Sequence, residues 1–188
     1  MSEPPLPLFT AEQYLEIERN AQRKSEFYNG EMFAMPTARF AHNELARNML
    51  IVIGNRRGSY RSCPSDMRVL IPATGLYTYP DVVVVCGQPE FLDETKDTLL
   101  NPGLIMEVLS PSTESFDRSR KFEQYRSIPS FSEYLLVSSD RVHVDLYQKQ
   151  PDGKWLLSSA GTMEESLTLA TIGCPLPLSE LYYGVDLS

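Results

Sequence analysis

Cysteine is scarce in this chain. Cys63, Cys86 and Cys174 are odd in number and far apart, with no C-x-x-C pair, which disfavours both a disulfide framework and a zinc site. Histidine is scarcer: His42 and His143 give a histidine-rich metal centre or a Ser-His-Asp triad little to build on. There is no glycine-rich phosphate loop, no G-x-S-x-G elbow and no H-E-x-x-H pair. No apolar run approaches membrane-spanning length, and "MSEPPLPLF" lacks the basic flank and long apolar core of a secretory signal. The expected location is the cytoplasm.

Positive charge is also in deficit. With 17 Lys and Arg against 25 Asp and Glu, the formal net charge is −8. A nucleic-acid binder usually carries a basic balance or a basic patch, so this total argues against tight non-specific DNA binding by a monomer. Only "GNRRGSYR" (54–61) and "DRSRKFEQYR" (117–126) concentrate cations locally. The deficit leaves room for an enzyme that needs metal ions in an acidic site.

What is present reads as one domain, 1–188, with an ordinary share of apolar residues, 42 %. "TAEQYLEIERNAQ" predicts a helix capped by Thr10, and Asn-Gly in "KSEFYNGEMFAMP" predicts a hairpin. "ARFAHNELARNMLIVIGNRRG" spaces Ala41, Leu45, Met49 and Ile53 for a helix ending at Gly54 or Gly58. Strands follow in "YRSCPSDMRVLI", "TYPDVVVVC" and "PGLIMEVLS". A helix over "SFDRSRKFEQYRSI" would have Ser115 as cap and Pro129 beyond its end. "SEYLLVSS", "RVHVDLYQ" and "KWLLSSA" complete the strands. Strands on both sides of one helix predict an α/β fold of the α+β kind, a mixed β-sheet flanked by helices.

Two carboxylates stand out. Asp81 precedes four valines in "YPDVVVV", at the mouth of a strand fit to be buried on both faces. Glu107 interrupts "GLIMEVL", otherwise a central strand, and a buried carboxylate needs a compensating cation. If these strands share a sheet, the two acids make an oxygen site suited to Mg²⁺ or Mn²⁺. Such an ion stabilises a phosphodiester in transition and acidifies an attacking water. On the predicted helix Arg118, Lys121 and Tyr125 share a face, from which Lys121 could reach the acids.

"YPDVVVV", "LIMEVLSPST", "DRSRKFEQYR" and "SEYLLVSSD", in that order, resemble the Uma-type endonucleases of the PD-(D/E)XK, or restriction endonuclease-like, superfamily. The resemblance also takes in "KSEFYNGE" and His42 in "ARFAHNEL". It implies a restriction endonuclease-like core with an N-terminal helix–hairpin extension, divalent-metal hydrolysis of nucleic acid, DNA foremost, and homodimers. Asp81 matches the motif aspartate and Glu107 the second acid, both as metal ligands. Leu109 stands where the motif lysine is expected, and Lys121 takes over as the cation. Glu26 matches an early family glutamate. His42, Gln124 and Tyr125 are supporting candidates.

Each residue also has a plainer role. Asp81 and Asp66 fit turns, Glu26 a cross-strand charge, His42 a helix stripe, Lys121 a solvated helix and Tyr125 the core. Two other functions compete with the nuclease. One is a module that kept the fold and lost activity, for which Leu109 argues. The other is a glycoside hydrolase using Asp81 and Glu107 as acid and base. "RVHVDLYQ" and "LTLATIGCPLPLSELYY" are candidates for a dimer surface.

Overall fold

The computed structural model describes residues 8–56, 58–111 and 114–187. Helix α1 (Ala11–Asn20) starts with a reciprocal cap: Gln13 N–H donates to the Thr10 hydroxyl, and Thr10 N–H to the Gln13 side chain. Strands β1 (Ser25–Tyr28) and β2 (Glu31–Ala34) form the expected hairpin. Asn29 and Gly30 at its tip have φ of 51° and 84°, the doubly positive turn that matches strand twist. Helix α2 (Phe40–Gly54) follows.

"YRSCPSDMRVLI" is two strands rather than one: β3 (Tyr60–Pro64) and β4 (Arg68–Ile71) belong to different sheets. The chain turns between them, and Asp66 sits in that turn, its side chain 87 % exposed and paired with Lys24. Next come β5 (Leu76–Thr78), β6 (Val82–Cys86), β7 (Thr98–Leu99) and β8 (Leu104–Leu109).

Three helical pieces then run together: α3 (Glu114–Phe116), a π-helical turn (Asp117–Lys121) and α4 (Phe122–Tyr125). Ser115 lies inside α3 instead of capping it. Strands β9 (Glu133–Ser138), β10 (Val144–Lys149), β11 (Trp155–Ala160), β12 (Ser166–Leu169) and β13 (Cys174–Pro177) lead to the short α5 (Leu178–Leu181).

The fold is the mixed α+β arrangement that the sequence predicts, with its strands divided among sheets. A six-stranded sheet has the order β11-β10-β9-β8-β6-β3 and is parallel only at β8–β9. A five-stranded sheet has the order β2-β1-β5-β4-β7, so the N-terminal hairpin forms one of its ends. β12 and β13 pair separately.

Alternation along the strands explains the layers. Val82, Val84, Leu104, Met106 and Val108 face a cluster with Leu45, Met49 and Ile53 of α2. Val83, Val85, Ile105 and Leu109 face the opposite way, meeting Val69 and Ile71 of the five-stranded sheet and Phe122 and Tyr125 of α4. Leu70 and Tyr77, on that sheet's other side, pack with Phe27 and α1.

The two segments considered for a dimer surface are largely internal. "RVHVDLYQ" becomes β10, paired on both edges by β9 and β11. Leu169, Leu176, Leu178, Leu181 and Tyr182 are buried in the α2 cluster. Among the described residues no helix is long and apolar enough to cross a membrane.

The hairpin turn generates a stability contrast. A Cβ on Gly30 would meet Leu8 Cβ at 2.9 Å, in a backbone at φ +84°, whereas nothing lies within 4 Å of one on Gly54. Gly30→Ala is expected to destabilise by more than about 1 kcal/mol, and Gly54→Ala to stabilise by up to about 1 kcal/mol. Urea unfolding midpoints of both variants check this.

Candidate active site

The register of the six-stranded sheet brings the two acids together. β6 and β8 pair antiparallel with Val82 opposite Met106. Continuing that register by one residue sets Asp81 opposite Glu107, on the face that carries Val83, Ile105 and Leu109. The backbone of each segment holds the other's carboxylate. Asp81 N–H donates to Glu107 Oε2 at 3.2 Å, and Val108 N–H donates to Asp81 Oδ2 at 2.8 Å. Like charges placed directly opposite repel, so such a pair needs an answering charge.

Lys121 provides one. Its Nζ lies 2.9 Å from Glu107 Oε1, which also accepts the Tyr125 hydroxyl at 2.9 Å. Glu26 Oε1 and Asp117 Oδ1 each lie 3.6 Å from the same ammonium. Glu26 comes from β1 of the other sheet and also accepts the Thr78 hydroxyl. Its direct partner across the hairpin is Phe33, so it is not part of a cross-strand charge pair. His42, from α2, puts Nε2 3.2 Å from Asp81 Oδ2. Its other nitrogen, Nδ1, is buried with no hydrogen-bond partner among the described residues.

Burial dominates the electrostatics. It pushes the Glu107 carboxyl up to about 8, Lys121 pulling against it and Asp81 and Asp117 adding to the rise. Burial opposes the charge on Lys121, yet Glu107, Glu26 and Asp117 outweigh it and hold the ammonium well above the usual lysine range. Taken as an isolated pair these directions conflict, since a charged lysine favours an ionised partner. The neighbours resolve the conflict. Glu107, Glu26 and Asp117 surround one ammonium, so the lysine stays charged, while burial and the neighbouring acids favour the protonated form of Glu107. Burial likewise keeps the Tyr125 phenol neutral, a donor to Glu107. At His42 burial works against protonation, but the bond to Asp81 and the charges of Asp81, Glu107 and Asp117 raise its pKa overall.

The structure thus gathers Asp81, Glu107, Lys121, Glu26, Tyr125 and His42. It does not bring in Gln124, whose Oε1 accepts the Thr74 hydroxyl at 2.8 Å. Arg118 does not share the face of Lys121 and Tyr125 either. The π turn breaks the α-helical spacing, and Arg118 pairs with Glu114 at 2.8 Å and Asp145 at 2.6 Å. Asp117, buried beside Lys121, is a further member, and its i, i+4 spacing from that lysine is the sequence signal for it. Leu109 is 3 % exposed within the apolar cluster, so the cation here comes from the helix.

Among the described residues no group of three His, Cys, Asp or Glu side chains forms a ready-made metal cage. Mg²⁺ does not demand one, because it binds through one or two carboxylates, completed by water and phosphate oxygens. Asp81 and Glu107 are the carboxylate pair that could hold such an ion, and the surplus of negative charge suits a divalent cation.

A family model described as Uma2, "Putative restriction endonuclease", matches residues 11–179. The chain belongs to the Uma2 family. Two proteins of Synechocystis sp., both named as uncharacterized, are similar to this Uma2 chain. One, sll1609, is 41 % identical over 155 residues, covering 80 % of this chain and 86 % of its own length. The other, slr1290, is 34 % identical over 183 residues, covering 96 % and 95 %. In three dimensions the Uma2 chain resembles the crystal structure of "a putative nuclease belonging to DUF820 from Anabaena variabilis", with a TM-score of 0.71. That likeness covers 95 % of this chain and 98 % of the other at 16 % identity, and it shows a shared fold.

The Glu107 proton has a signature in stability. With its pKa raised from 4.5 to about 8, the native state binds more protons than the unfolded state across that window, so the Glu107 contribution falls as pH rises through it. Glu107→Gln abolishes this slope while leaving Lys121 beside Glu26 and Asp117. The stability difference between the two proteins should move toward the glutamine variant from pH 5 to pH 8.5. Urea denaturation at both pH values measures it, and parallel curves would refute the protonated Glu107.

Proposed function

We propose that this Uma2 chain is a metal-dependent endonuclease hydrolysing phosphodiester bonds of nucleic acid, with DNA as the foremost substrate. Asp81 and Glu107 hold Mg²⁺ or Mn²⁺, and Lys121 is the catalytic cation. The observation that carries this reading is the acid pair across β6 and β8, with Lys121 2.9 Å from Glu107. Family membership supports it. A divalent ion at the pair would polarise the phosphate and acidify an attacking water.

The protein's own groups have separable tasks. Glu107 sits within β8, and Asp81 directly precedes β6 and is tied to β8 by the Val108 N–H, so both acids are held by the sheet. His42 and the Val108 N–H orient Asp81 Oδ2. Tyr125 fixes Glu107 Oε1, and Glu26 and Asp117 keep Lys121 protonated as a positive charge facing the phosphate. Gln124 has no task in this scheme. A homodimer is the proposed assembly, on the strength of the resemblance, and light scattering on the purified protein tests it.

A second reading has one observation in its favour: Glu107 and Lys121 are only 4 % and 8 % exposed, as in a structural ion-pair network. In that case the chain is a nuclease-fold module without activity. The glycoside hydrolase has less in its favour, because Glu107 is only 4 % exposed and already held by Lys121 and Tyr125.

Calorimetry separates the two surviving readings. Mg²⁺ or Mn²⁺ titrated at pH 7 should bind and release roughly one proton per ion, since the metal displaces the proton retained on Glu107. Repeating the titration in buffers of different ionisation enthalpy measures the proton release. Binding should vanish in Asp81→Asn and Glu107→Gln. Cleavage of a labelled DNA should fall at least about a hundredfold in both, and in Lys121→Met. No binding by the wild type, with or without a short DNA, selects the inactive module.

A further inference from the structure

The helical stretch that turns Lys121 inward has an outer side, and an open groove of about 670 Å³ lies against it. Arg120, Phe122 and Arg126 of this stretch form one wall, with Lys149 at the end of β10 and Trp155 at the start of β11 opposite. The rings are organised. Trp155, half-buried, stands edge-on to Phe122 with centroids 5.1 Å apart, and the Arg126 guanidinium lies 5.7 Å from the centre of the Phe122 ring.

Three cations on this groove are, among the described residues, free of carboxylate partners, as are several others of the chain's 17 Lys and Arg. Eight other Lys and Arg side chains sit in ion pairs with Asp or Glu. Arg120, Arg126 and Lys149 are exposed, and among the described residues none has a carboxylate in ion-pairing range. Glu123 is the one acid on the groove wall. A chain of net charge −8 thus keeps three unpaired cations around an aromatic floor.

We propose that this groove docks a single-stranded segment of nucleic acid. Phosphates contact Arg120, Arg126 and Lys149, and a base rests against Trp155. The chemistry is that of single-strand binders, in which a basic track follows the backbone and aromatic side chains meet exposed base faces. A duplex hides those faces inside its stack, so the combination of recessed rings and outer cations favours the single strand. The choice of nucleic acid as the polyanion rests on the nuclease reading above. Arg120 directly precedes Lys121, so a strand held here lies along the outer wall of the segment that carries the inward-facing ammonium.

The test uses the full chain, and its readout is built in, because Trp155 is the only tryptophan. Oligothymidylate titrated in EDTA should quench its fluorescence saturably. The triple variant Arg120→Ala/Arg126→Ala/Lys149→Ala should bind at least about tenfold more weakly, with the slope of log affinity against log salt reduced by about 2. All three side chains are exposed, so the variant's urea midpoint should match the wild type. Arg126→Ala alone should already weaken binding and serves if the triple variant misfolds. Trp155→Phe, followed by anisotropy of a labelled oligonucleotide, should lose about tenfold.

Absence of quenching, wild-type affinity in the triple variant, or equal quenching by a duplex of the same length overturns the proposal. The two readings fail separately. Quenching without any metal-dependent cleavage sinks the nuclease and leaves the groove, while cleavage without quenching sinks the groove alone.

Discussion

Asp81, Glu107, Glu26 and Asp117 could not be enclosed in so small a space without an answering charge, and that constraint falls mainly on Lys121. The ammonium touches acids from β1, from β8 and from its own helical stretch, so one side chain ties together the two sheets and the helix between them. Its burial would be prohibitive with a single partner, and theirs would be prohibitive without it. The retained proton on Glu107 is the remainder of this balance.

The sheets supply precision. Glu107 lies on the site face only because β8 is held in register by β6 on one side and β9 on the other. A slip of one residue would send it into the α2 cluster and bring Met106 or Val108 to the site. The valine run serves that purpose: Val82 to Val85 are each 0–1 % exposed and lock the strand from both faces. Asp81, at the end of that run, inherits its rigidity. Glu26 arrives from the far sheet through a hairpin whose turn tolerates little change, so part of the site depends on residues distant in sequence from the motif.

Much of this was legible from residue patterns. Glu107 was conspicuous because a carboxylate in "LIMEVL" violates the chemistry of a central strand, and Asp81 because it borders an unbroken valine run. The Asn-Gly turn and the Thr10 cap were equally plain, since each rests on local geometry. The division into two sheets was not, because "SCPSDMRV" carries no mark that its halves join different partners. Asp117 was missed, although its i, i+4 spacing from Lys121 is that of two residues on one helix face, a signal the sequence does carry. Gln124 illustrates the opposite error, where proximity to Lys121 in the chain suggested a shared site that the backbone does not make.

A π turn amounts to an α-helix that has taken in an extra residue. In a regular helix Arg118 and Lys121 would fall on neighbouring faces and compete for the same carboxylates. The widened turn parts them, sending Arg118 to Asp145 and Lys121 to Glu107. Loss of one residue from Asp117–Lys121 would therefore do more than shorten a helix: it would rotate one end against the other and exchange which cation faces the interior. An insertion or deletion there changes the wiring of charge even when every charged residue survives.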